Sequence, residues 1–193
     1  MYHIFPRGAS FWLFLFTIDQ DLAQSAQEKA CPCGGRLHCA NYPRKPRGCD
    51  HFPDDHAFRF SFCCAREGCR KRLTPPSVRF LGRKVYLFAV VVLVSAMRQG
   101  PSPRRVRELS QLFGADRRTI ARWQVFWREY VPQTPFWKSA RGRLPLSTAS
   151  AAILPQSLLE AFVTGDDLCR QWGQLLRFLS PITITTGLRS AFS

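Results

Sequence analysis

The sequence predicts a small zinc ribbon (β), followed by an all-α domain of three helices in a helix-turn-helix arrangement and by a helical C-terminal tail. Three observations predict this class: seven of the eight cysteines lie between residues 29 and 82, apolar residues recur at helical spacing after residue 83, and the positive charge is concentrated in the same two regions. We therefore divide the 193 residues into an N-terminal leader (1–28), the ribbon (29–82), the helix-turn-helix domain (83–137) and a linker with a helical tail (138–193).

Two apolar stretches could be mistaken for targeting or membrane segments. ASFWLFLFTI, residues 9–18, follows Arg7 like the core of a signal peptide, but no small-residue cleavage site lies close behind it. VYLFAVVVLVSAM, residues 85–97, has 13 residues, whereas a helix needs about 20 to cross a bilayer. We therefore expect no membrane association, and we expect a buried helix at the second stretch.

The charge of the chain indicates a polyanionic partner. The formal net charge is +15, and residues 31–143 hold 23 lysines and arginines against 7 aspartates and glutamates. A basic surface of this size attracts nucleic acid or an anionic membrane surface. The binding module should therefore lie in the middle of the chain.

The spacing of the cysteines is typical of a metal site with two halves. Cys31-Pro-Cys33-Gly-Gly resembles a zinc knuckle, and Cys63-Cys64-x4-Cys69 follows about 30 residues later. We expect a structural Zn²⁺ held by Cys31, Cys33, Cys69 and either Cys64 or Cys63. Alternation along HAFRFSFCC favours Cys64. Four protein ligands leave no place for an activated water, and disulfides would need an oxidising compartment that nothing else indicates.

The part of the chain after the ribbon predicts three helices. A helix of roughly 15 residues follows Gly82 and ends near Gly100. SPRRVRELSQLFG predicts the second helix, with Ser102 as N-cap and Gly114 at its end. Asp116 should cap the third helix. The buried face of that third helix is predicted to comprise Ile120, Trp123, Trp127 and Tyr130. Three helices with a short glycine-containing turn before the last form the helix-turn-helix pattern.

The outer face of the third helix is basic, which favours double-stranded DNA as the partner. The arginine guanidinium can form bidentate hydrogen bonds with guanine or bind a phosphate. The expected DNA-binding residues of the helical domain are Arg104, Arg105, Arg117, Arg118, Arg122, Gln124 and Arg128. Those of the ribbon are Arg70, Lys71 and Arg72, together with Arg44, Lys45 and Arg47 on a possible groove-reaching loop. The alternative is an ordinary solvated basic face.

Two short helices are predicted in the tail. Their apolar stripe comprises Leu168, Trp172, Leu175, Leu176 and Leu179. This spacing predicts internal packing, and a dimer interface is the alternative.

A cysteine ribbon followed by FGADRRTIARW resembles the N-terminal recognition modules of bacterial insertion-sequence transposases. The residues that match the pattern LxxxFGxxxxTIxRW are Leu109, Phe113, Gly114, Thr119, Ile120, Arg122 and Trp123. CPCGG, YPRKPRG and GCRKRLTPPSVRFLGRKVY are also similar to small uncharacterised bacterial proteins that accompany mobile elements. The resemblance implies a bacterial, cytoplasmic protein at the nucleoid, with a transposase or a second copy of the chain as a possible protein partner.

The acidic residues do not match those of a complete transposase. Such an enzyme holds two metal ions with three carboxylates, whereas only Glu160, Asp166 and Asp167 follow residue 137. We therefore expect a non-catalytic, zinc-stabilised DNA-binding protein, associated with a transposable element and without a small-molecule substrate. Two alternatives stay open: a truncated or partner-dependent transposase or nuclease that uses the acidic cluster around Asp54 and Asp55, and a zinc-stabilised adaptor that recruits another protein.

Overall fold

The structure is a computed structural model that describes residues 8–44, 47, 52–81, 86–95, 107, 111, 113–145, 154–163 and 166–184. It consists of an N-terminal helix, small antiparallel sheets with a four-cysteine cluster, and then several helices. The helices are α1 (Ala9–Glu28), α2 (Phe88–Ser95), α3 (Arg117–Val125), α4 (Pro135–Ala140), α5 (Gln156–Phe162) and α6 (Leu168–Leu179). The strands are β1 (Leu37–Cys39), β2 (Tyr42–Pro43), β3 (Phe58–Arg59), β4 (Phe62–Cys64) and β5 (Arg72–Leu73).

The cysteine-rich region forms two separate small sheets. One has the order β1-β4-β5 and the other pairs β2 with β3, and all of these pairs are antiparallel. Leu37 lies opposite Cys64, and Cys63 lies opposite Arg72. The predicted β region with a cysteine cluster is therefore confirmed, in strands of only two or three residues each.

The N-terminal apolar stretch, to which the sequence assigned no structure, is the first half of α1. Phe11, Trp12 and Leu15 are fully or almost fully buried in the main core. Helix α1 packs closely against α6, because a Cβ atom at Gly173 would overlap the ring of Phe14. Residues 9–28 thus belong to the packed structure.

The second apolar stretch forms α2 and lies in the centre of the core. Phe88, Val90, Val91 and Val92 have no exposed surface, which confirms the predicted buried helix. The helix begins at Phe88, later than predicted. Within the described residues, no helix is long and apolar enough to cross a membrane.

Helix α3 has the start and the buried face that the sequence predicts. Asp116 is its N-cap, with Oδ1 accepting from the Thr119 N–H at 2.7 Å. Gly114 precedes it with a φ of 62°, in the left-handed region. Ile120, Trp123 and Trp127 are buried, and Tyr130 is half-buried in a π-helical turn at Phe126–Tyr130.

The predicted second helix lies largely outside the described residues, as does its predicted cap, Ser102. Of that segment, Arg107, Gln111 and Phe113 are described, and all three are helical. Gly100, the predicted end of the helix before it, is also outside the described residues.

The tail contains the two predicted short helices, α5 and α6. Trp172, Leu175, Leu176 and Leu179 are completely buried, while Leu168 is half-buried against the same core. The apolar stripe is therefore internal packing, as predicted. The start of the predicted linker is structured, because it includes the end of α4 and a 3-10 turn at Arg141–Arg143.

Candidate metal centre and nucleic-acid interface

The first half of the cysteine cluster is a tight turn. The Cys31 N–H donates to the Gly35 carbonyl at 3.1 Å, and the Gly34 N–H donates to the Cys31 carbonyl at 2.7 Å. Gly34 has a φ of 79°, a conformation that disfavours side chains. Gly35 is needed for space, because a Cβ there would lie 2.5 Å from Cys64 Sγ. The two glycines therefore let Cys33 turn towards the second half of the cluster.

The second half is the turn between the end of β4 and β5. The Cys64 N–H donates to the Lys71 carbonyl at 3.0 Å, and the Cys69 N–H donates to the Arg66 carbonyl at 3.1 Å. Gly68 provides a second left-handed position, with a φ of 80°. Pairing of β1 with β4 holds this turn against the first one.

The four thiols that these turns bring together are those of Cys31, Cys33, Cys64 and Cys69, and their Sγ atoms all lie within 4.8 Å of one another. Cys31 Sγ is 3.8 Å from Cys69 Sγ, and Cys33 Sγ is 3.5 Å from Cys64 Sγ. A tetrahedral Zn²⁺ with bonds of about 2.3 Å to sulfur requires sulfur atoms about 3.8 Å apart. The donor set and its spacing therefore fit a structural zinc ion.

The cluster favours one thiolate even without a metal. The Gly35 N–H, together with the thiols of Cys69, Cys31 and Cys64, lowers the pKa of Cys33 to about 6. The Arg66 N–H favours the thiolate of Cys64, but burial and the neighbouring thiols outweigh it and raise the pKa of Cys64 to about 12. A dication that takes all four sulfurs as thiolates must therefore displace protons when it binds.

A small apolar core surrounds the cluster and links it to the first helix. Cys31 and Cys64 are buried together with Ala23, Leu37 and Phe62. Ala23 belongs to α1, and Gln27 of the same helix donates to the Leu37 carbonyl at 3.3 Å. The four-cysteine cluster is therefore covered on one side by α1.

The remaining cysteines are outside the cluster. Cys63 points away from it, since its Sγ lies 3.6 Å from the Arg70 carbonyl, so Cys64 and not Cys63 is the fourth member. Cys39 is exposed, and burial raises the pKa of Cys169 in α6. The seven cysteines that the structure describes form no disulfide.

The acidic cluster of the enzyme alternative forms a 3-10 turn at Asp54–His56. Both aspartates are exposed, while the His56 ring stacks on Phe16 with centroids 4.1 Å apart. Within the described residues, the four cysteines are the only group of three or more histidine, cysteine or acidic side chains close enough to share a metal ion.

The basic residues predicted on the ribbon differ in the exposure of their side chains and in the contacts that these make. Arg70 and Lys71 are exposed at the turn beside the cluster. Arg72 is exposed but anchored, because its Nη2 donates to the Ala40 carbonyl at 2.8 Å and its guanidinium lies over the Tyr42 ring. Arg44 is half-buried and Arg47 is exposed. Lys45 lies outside the described residues.

The basic residues predicted on α3 lie on its outer face. Arg117, Arg118 and Arg122 are exposed; Arg118 and Arg122 lie on the side opposite the buried Ile120 and Trp123, and Arg117 lies on the flank. Gln124 is half-buried. The exposed Arg128 follows α3 and donates through Nη2 to Glu129 Oε1 at 2.9 Å, which compensates its charge. Arg104 and Arg105 are outside the described residues.

Sequence reasoning missed two features that shape the site. The first is Arg66, whose Nη1 donates to the Cys33 carbonyl at 2.7 Å and joins the two halves of the cluster. The exposed cations Lys138, Arg141 and Arg143 were read as part of a linker. Their signal was present, since residues 134–145 contain three basic residues and no acidic one.

Comparisons of the chain with protein-family models, with curated proteins and with solved structures found no match.

Proposed function

We propose that this protein is a non-catalytic, zinc-stabilised protein that binds double-stranded DNA. The proposal rests above all on one observation: four thiols close enough to share a metal ion lie in a basic ribbon, and the chain continues into α3, which exposes Arg118 and Arg122. All four positions of the metal belong to the protein, which favours a structural role for the ion.

The geometry of α3 favours it as the element that enters the major groove. Arg118 and Arg122 are four residues apart and share one face, and the small Ala121 between them is also exposed. Within the described residues, neither guanidinium forms an ion pair. The apolar residues opposite fix the helix in the core, so its cations are held on a rigid element. Arginine on such a face contacts phosphates or guanine edges.

The ribbon would add phosphate contacts that carry no sequence information. Arg70 and Lys71 extend from the turn that the cluster holds in place. Because phosphate contacts position a protein on the duplex while base contacts specify the sequence, we assign affinity to the ribbon and readout to α3. The association with a transposable element is a proposal that rests on the resemblance of FGADRRTIARW to transposase recognition modules.

The test is binding of the full-length, zinc-loaded protein to random-sequence duplex at about 50 mM and about 200 mM salt. We expect affinity to fall steeply with salt, and we expect Arg118→Gln with Arg122→Gln to reduce the slope of log K against log salt by about 2. Arg170→Gln on α6 is the control, since this exposed arginine lines a cavity together with Asp21 and Asp167. A weak and salt-independent interaction of the wild-type protein would contradict the proposal and favour the adaptor alternative.

A further inference from the structure

The segment after α3 exposes a second basic surface. Helix α4 and the 3-10 turn that follows it carry Lys138, Arg141 and Arg143, and all three side chains are exposed. We call these three residues the α4 strip. Within the described residues none of the three forms an ion pair, and residues 134–145 contain no acidic residue. The charge of the strip is therefore uncompensated locally.

Capping and packing contacts hold the backbone of the α4 strip in place. Thr134 caps α4, with Oγ1 accepting from the Trp137 N–H at 3.1 Å and donating to the Val131 carbonyl at 2.7 Å. Trp137 and Ala140 are buried beneath the helix, and the Phe136 ring meets that of Phe178 on α6 at 5.4 Å. These contacts hold the backbone that carries the three cations, so ordering it adds little to the cost of binding.

The arrangement of the charges is unfavourable without a partner. Lys138 and Arg141 are three residues apart, so they are neighbours on the helix surface, where like charges repel. One cation at the C-terminal end of a short helix interacts favourably with the helix dipole. Three cations within six residues repel one another more than this dipole can offset. A polyanion relieves this repulsion, whereas a neutral protein surface does not.

We propose that the α4 strip is a phosphate-binding surface that contacts the DNA backbone without reading its sequence. This inference rests on the proposed function and extends it to a part of the chain beyond the helix-turn-helix prediction. Six residues of helix and 3-10 turn span about 8 to 10 Å. Each strand of B-DNA presents one phosphate per about 3.4 Å of axis. Because successive phosphates are also displaced around the axis, a strip of this length matches about two consecutive phosphates, and the long lysine and arginine side chains can reach a third.

The test measures the salt dependence of duplex binding by full-length, zinc-loaded protein. Replacing all three residues, with Lys138→Gln, Arg141→Gln and Arg143→Gln, should lower the slope of log K against log salt by about 2 to 3. The single change Arg141→Gln should lower it by about 1, and Arg170→Gln, which also removes one exposed arginine, should leave it unchanged. Because all three side chains are exposed, we expect unchanged zinc content and circular dichroism.

The experiment distinguishes failure of the strip inference from failure of the proposed function. If the wild-type protein binds duplex and the triple variant keeps the same slope, the strip inference is wrong and the proposed function stands. If the wild-type protein does not bind duplex at any salt concentration, the proposed function is wrong. In that case vesicles with about a third phosphatidylserine are the second probe, and loss of vesicle binding in the triple variant would assign the strip to a lipid surface instead of nucleic acid.

Discussion

The side chains of Asp19 and Arg79 form an ion pair in the centre of the molecule. Arg79 Nε donates to Asp19 Oδ2 at 2.8 Å, and both side chains have an exposure of 0%. Ser77 Oγ and the Val78 N–H each donate to the same carboxylate at 2.6 Å. Burial lowers the pKa of Arg79, and the charge of Asp19 opposes this effect. The pair thus joins α1 to the segment that follows β5.

Arg79 also extends this connection to the second small sheet. Its Nη1 donates to the His56 carbonyl at 2.6 Å and its Nη2 to the Phe58 carbonyl at 3.2 Å. The Ser77 N–H donates to Thr183 Oγ1 at 3.1 Å, which adds the C-terminal 3-10 turn. Four separate parts of the chain are therefore linked through the contacts of Asp19, Ser77 and Arg79.

Asp19→Asn should destabilise the protein strongly. Removing one partner of a buried ion pair leaves the other charge without compensation, which typically costs about 3–5 kcal/mol. Asn keeps the shape of the side chain and can still accept through its oxygen, but it loses the charge and replaces one acceptor oxygen with an N–H donor, so the ion pair and at least one hydrogen bond are lost together. The free energy of unfolding from urea titration at neutral pH measures this effect.

The matched control for this change is Asp21→Asn. Asp21 lies two residues further along α1 and is exposed, so its replacement should change the free energy of unfolding by no more than about 0.5 kcal/mol. Equal stability of the two variants would show that the buried pair contributes little beyond its shape.

The neighbouring residues Cys64 and Cys63 give a matched pair for the metal centre. Cys64→Ser should abolish stoichiometric zinc binding, because Cys64 Sγ lies within the four-thiol cluster. Cys63→Ser should retain one zinc per chain, because the Cys63 thiol points towards the Arg70 carbonyl instead. Atomic absorption of the purified variants measures this difference. Equal zinc content in the two proteins would contradict the ligand assignment.

The elements that could be predicted from the sequence are those specified by residues close together in the chain. The four cluster cysteines are recognisable because glycines accompany them, and α3 because Asp116 precedes a run of apolar residues at helical spacing. The structural role of α1 could not be predicted, because its buried Asp19 has its partner Arg79 sixty residues later. A lone aspartate at the end of an apolar stretch indicates a solvated end unless the long-range contact is known. The choice between Cys63 and Cys64 depended on strand alternation, and the register of β4 decides it.

Gly35→Ala should weaken zinc binding without removing a ligand. The new Cβ would lie 2.5 Å from Cys64 Sγ and 2.9 Å from Arg66 Cβ, so either the sulfur or the backbone must move. We expect zinc affinity to fall by about 10- to 100-fold, as when groups that orient metal ligands are changed. Competition with a chromophoric chelator measures the affinity. Gly142→Ala is the control, because a Cβ at Gly142 meets no atom within 4 Å. An unchanged affinity in Gly35→Ala would contradict the close packing of the two turns.

The cap of α3 should make the stability of the helical region depend on pH. The Thr119 N–H, which donates to Asp116 Oδ1 at 2.7 Å, is the main cause that lowers the pKa of Asp116 below its ordinary value of 3.8. A carboxyl group with a lowered folded-state pKa contributes stability in full above its unfolded value, and this contribution is lost as the pH falls through the folded value. The pH-dependent window therefore lies below about pH 4.

Comparison of Asp116→Ala with Asp116→Asn at two pH values tests this dependence. At neutral pH the Ala variant should be less stable than the wild type by about 1 kcal/mol, whereas the Asn variant, which keeps a capping side chain, should be nearly unchanged. At about pH 3 or below the wild type should move towards the Ala variant, while the Asn variant keeps its cap because it does not titrate. Urea unfolding of the three proteins measures these differences, and comparison at the same pH cancels the loss of metal that all three share in acid. A gap between wild type and Ala that is the same at both pH values would mean that the Asp116 carboxylate does not carry the cap.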